Sequence, residues 1–98
     1  MKVKLKGFIE VSEVDLDRVI AQIGTHIRLT RAEPGCLKFE ISQRENDDSR
    51  FDVDEEFVDR QAYLSHQKRL KTSAWASASR EVKRHYTVTG LDEDYPEE

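Results

Sequence analysis

Two titratable residues, Glu55 and His66, are placed on one apolar layer by the spacing of their neighbours. Glu55 lies within an alternating run from Phe51 to Phe57, on the side of the strand that carries the apolar side chains. His66 lies one helical turn before Leu70, so it is expected on the inner face of a helix. A buried carboxyl group must be paired or its pKa rises, and an imidazole can exchange a proton near neutral pH. These two residues are therefore the strongest candidates for acid–base chemistry.

Each candidate also has a purely structural interpretation. His66 and Glu55 could form a buried hydrogen-bonded pair that only stabilises the fold. Tyr86, on the last predicted strand, could extend its hydroxyl to the same layer, or it could simply pack in the core. Trp75 could line the mouth of a pocket or a dimer contact, and packing alone would explain it equally well.

The other histidines and the single cysteine do not indicate a metal site or a nucleophile. We expect His26, near the end of the first helix and off its apolar stripe, to be solvated. His85 alternates away from Tyr86 and should face a partner or water. The spacing of the three histidines does not match that of metal ligands. Cys36 has no obvious activating base, so we interpret it as a small packed residue.

Composition limits the class of protein. A chain of 98 residues is enough for one domain, and 37% charged residues with a mean hydropathy of -0.76 indicate a soluble protein. The net charge is -4 and basic residues are scattered among acids, so neither nucleic acid nor a membrane is an expected partner. The N-terminus does not resemble a signal peptide, and a lone cysteine cannot form an internal disulfide. Both features indicate the cytoplasm.

Alternating periodicity predicts four strands separated by helical segments. The strands fall at residues 2–11, 36–44, 50–58 and 81–90. A polar turn over 46–49 joins the second strand to the third. The order βαββαβ predicts a ferredoxin-like α+β domain over residues 1–90, with an antiparallel sheet of order 4-1-3-2 and the helices on one face. Residues 91–98 are predicted to be an acidic tail.

The helices are predicted from their caps and apolar stripes. The first covers residues 13–32, with Ser12 and Asp15 resembling a capping box. Its stripe consists of Leu16, Val19, Ile20, Ile23 and Ile27. Asp59 is expected to cap the second helix, and Ser73 a short turn that carries Trp75.

The face of the sheet away from the helices is predicted to be charged. Lys4 and Lys6 on the first strand and Asp52 and Asp54 on the third would be neighbours. Cross-strand ion pairs are therefore expected, each worth roughly 0.2–1 kcal/mol. Gly7 interrupts the apolar face of the first strand, which indicates a bulge or the close approach of another segment.

The turn before the second strand carries a motif with a family resemblance. Residues 33–40 read EPGCLKFE, and this stretch resembles the turn and strand of the antibiotic biosynthesis monooxygenase family. The pattern continues at suitable spacing with Arg50-Phe51, Glu55-Glu56-Phe57, Asp59, Ala62 and His66. The resemblance covers about residues 3–90 and implies that two copies pair into a dimeric α+β barrel. The superfamily includes cofactor-free oxygenases of aromatic polyketides and quinols, haem-degrading enzymes and an isomerase of a signalling sugar phosphate.

The resemblance implies a cofactor-independent monooxygenase acting on a small, flat, electron-rich aromatic compound such as a quinol or an anthrone. His66, with Glu55 behind it, would remove a proton from the substrate. The resulting anion would pass an electron to dioxygen without flavin or metal. Tyr86 and Trp75 would contact the substrate. An apolar pocket would keep water from the radical pair, and its lining would be Phe39, Ile41, Phe51 and Phe57.

Two features depart from the family pattern, and other functions stay open. Asp52 and Asp54 stand where many relatives have apolar residues on the face that meets the partner sheet. Lys71 stands where some relatives have a second histidine. The alternatives are a non-catalytic ligand-binding dimer, an isomerase of the same superfamily, and a haem-binding protein with His66 as the axial ligand.

Overall fold

The computed structural model describes residues 1–91 as four strands and three helices. The elements in chain order are β1 (Val3–Glu10), α1 (Glu13–Arg31), β2 (Cys36–Arg44), β3 (Asp47–Phe57), α2 (Arg60–Leu70), α3 (Ala74–Ala78) and β4 (Lys83–Thr89). This order confirms the predicted βαββαβ arrangement, with α3 as a short extra helix before β4. The predicted acidic tail lies outside the described residues except for Leu91. Within residues 1–91, no helix is both long and apolar enough to cross a membrane.

The strands form one antiparallel sheet of order β2-β3-β1-β4, which is the predicted order read from the other edge. Glu55 pairs with Leu5 of β1 on one side and with Phe39 of β2 on the other, so it lies in the middle of the sheet. At Gly7, an added Cβ would collide with the carbonyl oxygen of His85 in β4. The predicted close approach at Gly7 is therefore confirmed.

The helices cover one face of the sheet, and the apolar core lies between the two layers. Alternate residues of β1 and β3 are buried there, namely Val3, Leu5, Ile9, Phe51, Val53 and Phe57. Val19 of α1 and Tyr63 of α2 belong to the same cluster. Each fully buried side chain of this size contributes about 1.5–3 kcal/mol. A slip of one residue would expose the whole set, so the alternation holds Glu55 on the helix side of β3.

The buried face of α1 is rotated from the predicted stripe. Ile20 is 46% exposed. The buried positions are Asp15, Val19, His26 and Thr30. Thr30 can lie on this face because its hydroxyl accepts a hydrogen bond from Arg69. The expectation that His26 is solvated is wrong, because this residue is 4% exposed and its ring stacks on Trp75.

Two of the predicted caps are confirmed, and the third differs. Asp59 Oδ1 accepts a hydrogen bond from the backbone N–H of Ala62 at 2.8 Å, and Ser73 caps α3 in the same way. Ser12 precedes α1, but its hydroxyl donates to Asp15 Oδ2 at 3.1 Å and makes no cap hydrogen bond. The caps of α2 and α3 matter most here, because these helices carry candidate site residues.

The turn between β2 and β3 is shorter than predicted. Only residues 45–46 form it, and Asp47 already pairs with Arg44. Asp47 Oδ1 accepts hydrogen bonds from the backbone N–H and hydroxyl of Ser49. Asp47 and Ser49, which are residue types typical of turns, thus lie inside a strand, because they hydrogen-bond to each other there.

The side of the sheet without helices, which we call the outer face, carries interlocking charges. Asp54 Oδ2 lies 3.9 Å from Lys6 Nζ of β1 and 2.8 Å from Lys38 Nζ of β2. Glu56 pairs with Lys2 at 3.2 Å. A predicted cross-strand ion pair between β1 and β3 is therefore confirmed at Lys6 and Asp54.

The outer face also carries an aromatic stack. The ring of Phe8 is stacked on His85 with centroids 4.5 Å apart, and the Arg50 guanidinium lies 3.6 Å from the Phe8 centroid. His85 Nε2 lies 2.6 Å from Glu10 Oε1, and the His85 side chain is 46% exposed. His85 thus points away from the helices, as its alternation with Tyr86 predicts.

Candidate active site between the sheet and the second helix

His66 lies at the centre of the candidate site. It projects from the inner face of α2 and is 1% exposed. Aromatic rings surround it, with the centroid of Phe57 at 5.0 Å, that of Phe39 at 5.6 Å and that of His26 at 6.2 Å. An imidazole enclosed in this way exchanges protons only with the groups that touch it or with a bound ligand.

The hydrogen-bond partner of His66 is Glu33, a residue to which the sequence analysis assigned no role. His66 Nδ1 lies 2.7 Å from Glu33 Oε1. The same oxygen accepts a hydrogen bond from Arg69 Nη2 at 3.2 Å, and Arg69 Nη2 also donates to Thr30 Oγ1 at 3.0 Å. Glu33 is therefore held from two sides, by a cation and by an imidazole.

The turn at Pro34 and Gly35 brings Glu33 to this position. Gly35 has a φ of +87°, which favours glycine, and a Cβ there would lie 2.6 Å from the Cβ of Ala62. The backbone N–H of Val58 donates to the Gly35 carbonyl at 2.8 Å. The turn is thus docked on the start of α2, one helical turn from His66.

Glu55 approaches His66 from the sheet without a direct hydrogen bond. Its Oε1 lies 3.9 Å from His66 Nε2 and has no hydrogen-bond partner among residues 1–91. Burial, and then the negative charges of Glu33 and Asp54, raise the pKa of the Glu55 carboxyl to about 8. The expectation of Glu55 as a carboxyl group next to His66 holds, but near pH 7 it carries a proton.

Both buried histidines are neutral at pH 7. Burial lowers the pKa of His66, and the hydrogen bond and negative charge of Glu33 partly oppose this effect. Burial, followed by the charges of His66, Arg69 and Arg84, lowers the pKa of His26 to about 3. His26 lies parallel to Trp75, with centroids 4.5 Å apart and planes 6° apart.

Tyr86 and Arg84 extend the site along β4. Desolvation of its hydroxyl, and then the charge of Glu55, raise the pKa of Tyr86 to about 12, although 37% of the residue is exposed. The charge of Arg84 partly opposes this rise in the pKa of Tyr86, and Arg84 Nη2 donates to Ser79 Oγ at 2.9 Å. The Tyr86 hydroxyl therefore stays protonated at pH 7. The sequence analysis did not single out Arg84.

The aromatic candidates differ in their surroundings. Phe39, Phe51 and Phe57 are at most 2% exposed and belong to the packed interior. Trp75, on α3, is 8% exposed and separates this interior from a small cavity of about 30 Å³. The cavity lies between α1, α2 and α3, with His26 and Arg69 in its lining.

Neither a metal site nor a reactive thiol is found in the described part of the chain. No group of three His, Cys, Asp or Glu side chains in residues 1–91 could hold a metal ion. Burial, and then the charge of Glu33, raise the pKa of the Cys36 thiol. This shift agrees with the interpretation of Cys36 as a packed residue.

The arrangement is suited to moving one proton. His66 Nε2 can accept or donate a proton according to the tautomer of the ring, and the protonated Glu55 carboxyl can do either. Nε2 and Glu55 Oε1 are too far apart for a direct hydrogen bond. Sequence reasoning found both groups from their periodicity. It missed Glu33, His26, Arg69 and Arg84. The EPG motif was the one available signal for Glu33.

Comparisons with solved structures show the same fold in bacterial proteins. A protein from Nitrosomonas europaea, provisionally described as an antibiotic biosynthesis monooxygenase, matches with a TM-score of 0.77 and 19% identity over 93% of this chain and 98% of that chain. MupZ from Pseudomonas fluorescens matches with a TM-score of 0.74 and 23% identity, over 95% and 70% of the two chains. A protein from Deinococcus radiodurans with the same provisional description matches with a TM-score of 0.71 and 17% identity, over 100% and 99%.

The family is shown by sequence and not by these structures, whose low identities establish the shared fold alone. No curated protein matches the chain significantly. A sequence model of one family, described as antibiotic biosynthesis monooxygenase, matches residues 3–82, which is most of the domain. The chain therefore belongs to the antibiotic biosynthesis monooxygenase family.

Proposed function

We propose that the protein is a cofactor-independent monooxygenase that oxidises a small neutral aromatic compound with a hydroxyl group, such as a quinol or an anthrone in its enol form. Membership of the family supports a monooxygenase-like role. The observation that carries the proposal is the buried Oε1 of Glu55, which has no partner in residues 1–91 and lies 3.9 Å from His66 Nε2.

One hydroxyl group fits the geometry of these two atoms. An oxygen about 2.8 Å from each of two atoms that are 3.9 Å apart is at an ordinary hydrogen-bonding distance from both. The hydroxyl donates to His66 Nε2 and accepts from the protonated Glu55. Because this pair of groups is uncharged at pH 7, it matches a neutral hydroxyl better than a carboxylate.

The reaction begins with a proton transfer to His66. Nε2 takes the substrate proton, and the substrate anion passes one electron to dioxygen. The substrate radical and superoxide combine into a peroxide on the substrate carbon, which is protonated by Glu55 or the imidazolium. Loss of the remaining proton on that carbon cleaves the O–O bond. One oxygen atom becomes a carbonyl oxygen, and the other leaves as water.

The other candidate residues bind and enclose the substrate in this proposal. The Tyr86 hydroxyl stays protonated because its pKa is about 12, so it donates a hydrogen bond to a substrate oxygen. Trp75 and the interior rings of Phe39, Phe51 and Phe57 exclude water from the radical pair.

We also propose that the protein acts as a homodimer in the cytoplasm, with the outer faces of two copies in contact. The charged residues of this face have partners within the chain, as at Asp54 with Lys6 and Lys38. Paired charges are easier to cover than single ones. The single cysteine is suited to a reducing compartment.

Dioxygen consumption by the purified protein against quinols and anthrones tests the proposed reaction. We expect uptake with at least one of them, and a loss of about 100-fold or more in His66→Ala. Lys68→Ala is the control, because it truncates an exposed side chain on the same helix as His66. Unchanged turnover in His66→Ala would overturn the proposal, and so would a folded wild-type protein without uptake across the panel.

A further inference from the structure

We infer that Glu33 is a positioning residue that fixes the proton of neutral His66 on Nδ1 and leaves the lone pair of Nε2 directed at Glu55. The catalytic consequence rests on the proposed function. The position of the proton does not, because it is a property of the free protein. Neutral imidazole has two tautomers, and only the one with a bare Nε2 can accept a proton on the Glu55 side.

The hydrogen-bond donors around Glu33 decide the tautomer. A guanidinium can only donate, so Glu33 Oε1 is an acceptor in its 3.2 Å contact with Arg69 Nη2. The same oxygen lies 2.7 Å from His66 Nδ1. A carboxylate held by a cation is an acceptor for a second donor, and the imidazole therefore supplies an N–H at Nδ1.

The other side of the ring agrees with this assignment. If the proton were on Nε2, it would point at Glu55 Oε1 from 3.9 Å, beyond hydrogen-bonding distance, and Nδ1 would face a carboxylate without a proton between them. Both nitrogens would then be poorly satisfied inside a core where His66 is 1% exposed. The Nδ1–H tautomer has one good hydrogen bond and one free lone pair.

Glu33 can hold this tautomer because it is itself fixed. Its side chain is bound by Arg69, and Arg69 is bound by Thr30 Oγ1 at 3.0 Å. Its backbone precedes the turn that docks on Ala62 through Gly35. The negative charge of Glu33 also raises the pKa of His66 against the effect of burial, which makes Nε2 a stronger base.

Nitrogen NMR of the histidine rings in the free protein tests the tautomer directly. In the wild type we expect the His66 signals of a neutral ring protonated at Nδ1. Glu33→Gln keeps an acceptor but loses the charge, so the tautomer should persist while the pKa of His66 falls further. Glu33→Ala removes the acceptor and should give a mixture of tautomers. Glu10→Ala, which removes the partner of exposed His85, is the control and should leave His66 unchanged.

Kinetics give the second readout. The acidic limb of the pH profile for kcat/KM should shift to lower pH in Glu33→Gln, and kcat should fall by about tenfold or more with little change in KM. Glu33→Asp should recover part of the loss if its shorter carboxylate still reaches Nδ1. Equal pH profiles for wild type and Glu33→Gln would oppose a positioning role.

The outcomes separate this inference from the proposed reaction. A wild-type ring protonated at Nε2, or a tautomer unchanged in folded Glu33→Ala, overturns the inference even if dioxygen is consumed. The Nδ1–H tautomer without any dioxygen uptake overturns the proposed function and leaves the inference standing. If Glu33→Ala does not fold, the pKa of His66 in Glu33→Gln decides, because an unchanged or raised value contradicts the role of Glu33.

Discussion

Two histidine–glutamate pairs of nearly equal length lie on opposite faces of the sheet. His66 Nδ1 is 2.7 Å from Glu33 in the core, and His85 Nε2 is 2.6 Å from Glu10 on the outer face. The His66 side chain is 1% exposed, whereas that of His85 is 46% exposed. Water competes for the exposed contact and salt screens it, while only protein groups can satisfy the buried one. The energetic role of such a pair therefore depends more on its exposure to water than on the distance between its two atoms.

The pairs also differ in what they connect to. Glu33 continues to Arg69 and Thr30, and the far nitrogen of His66 faces a neutral Glu55. His85 stacks on Phe8, and the Arg50 guanidinium lies over the same ring. Both pairs therefore continue into further contacts. The His66 side chain is buried, whereas about half of the His85 side chain is exposed in the single chain.

The largest expected difference between the two pairs is in the free energy of unfolding that is lost when each histidine is replaced by alanine. His66→Ala leaves a cavity between aromatic rings and a Glu33 carboxylate with one partner fewer, so the free energy of unfolding should fall by about 3–5 kcal/mol. His85→Ala should cost about 0–1 kcal/mol. Urea denaturation followed by circular dichroism measures both. Equal losses would mean that burial does not distinguish the two pairs.

Glu55 sharpens the comparison through the pH dependence of stability. Its pKa of about 8 in the folded protein lies above its ordinary value of 4.5, so the folded chain binds more protons between these values. Stability should therefore fall as pH rises from about 4.5 to about 8, by about 3 kcal/mol between pH 5 and pH 7. Glu55→Gln cannot ionise and should remove this slope in urea titrations at several pH values. Glu10→Gln on the outer face should retain it, and parallel slopes for wild type and Glu55→Gln would contradict the assignment.

His26 should give the opposite slope in acid. Its folded pKa of about 3 lies below the ordinary 6.5, so the unfolded chain binds more protons and stability falls as pH decreases from about 6.5 towards 3. The contribution should be about 2 kcal/mol between pH 6.5 and pH 5. His26→Phe keeps a ring against Trp75 but cannot be protonated, so its unfolding free energy should depend less on pH in this range. His85→Phe is the control. If it weakens the pH dependence of the unfolding free energy as much as His26→Phe does, burial of His26 is not the cause of that dependence.

The smallest effect is expected from the charge of Glu10. Glu10→Gln should change the free energy of unfolding by about 0–1 kcal/mol at low salt, and the difference should vanish near 1 M salt. The matched Glu33→Gln variant in the core should keep its effect at both salt concentrations. Denaturation at two ionic strengths measures this, and an equal salt dependence in Glu10→Gln and Glu33→Gln would contradict the prediction.

Periodic residues of the site were predictable, and residues placed by tertiary contacts were not. Glu55 and His66 share a layer because strand and helix periods are both visible in the sequence, and the βαββαβ order then determines the sheet. His26 was misplaced because isoleucines suggested a different stripe, while contacts with α3 and α2 set the true rotation of α1. Glu33 lies in a turn, which has no periodicity, and its contact spans 33 residues. That His66 is the partner of Glu33 follows only from the way the turn packs on the start of α2.

The docked turn at Gly35 has a consequence for the order of folding. The contacts of Gly35 with Val58 and Ala62 join the first βα unit to the second, and they close a loop of more than twenty residues. Closing such a loop costs chain entropy before any contact offsets it, so the bond between Glu33 and His66 forms only once both halves have associated. The imidazole N–H that this bond shields is therefore a local reporter of complete folding. Its resonance should disappear at the same denaturant concentration as the sheet, and a folding intermediate with only one half formed would contain no site at all.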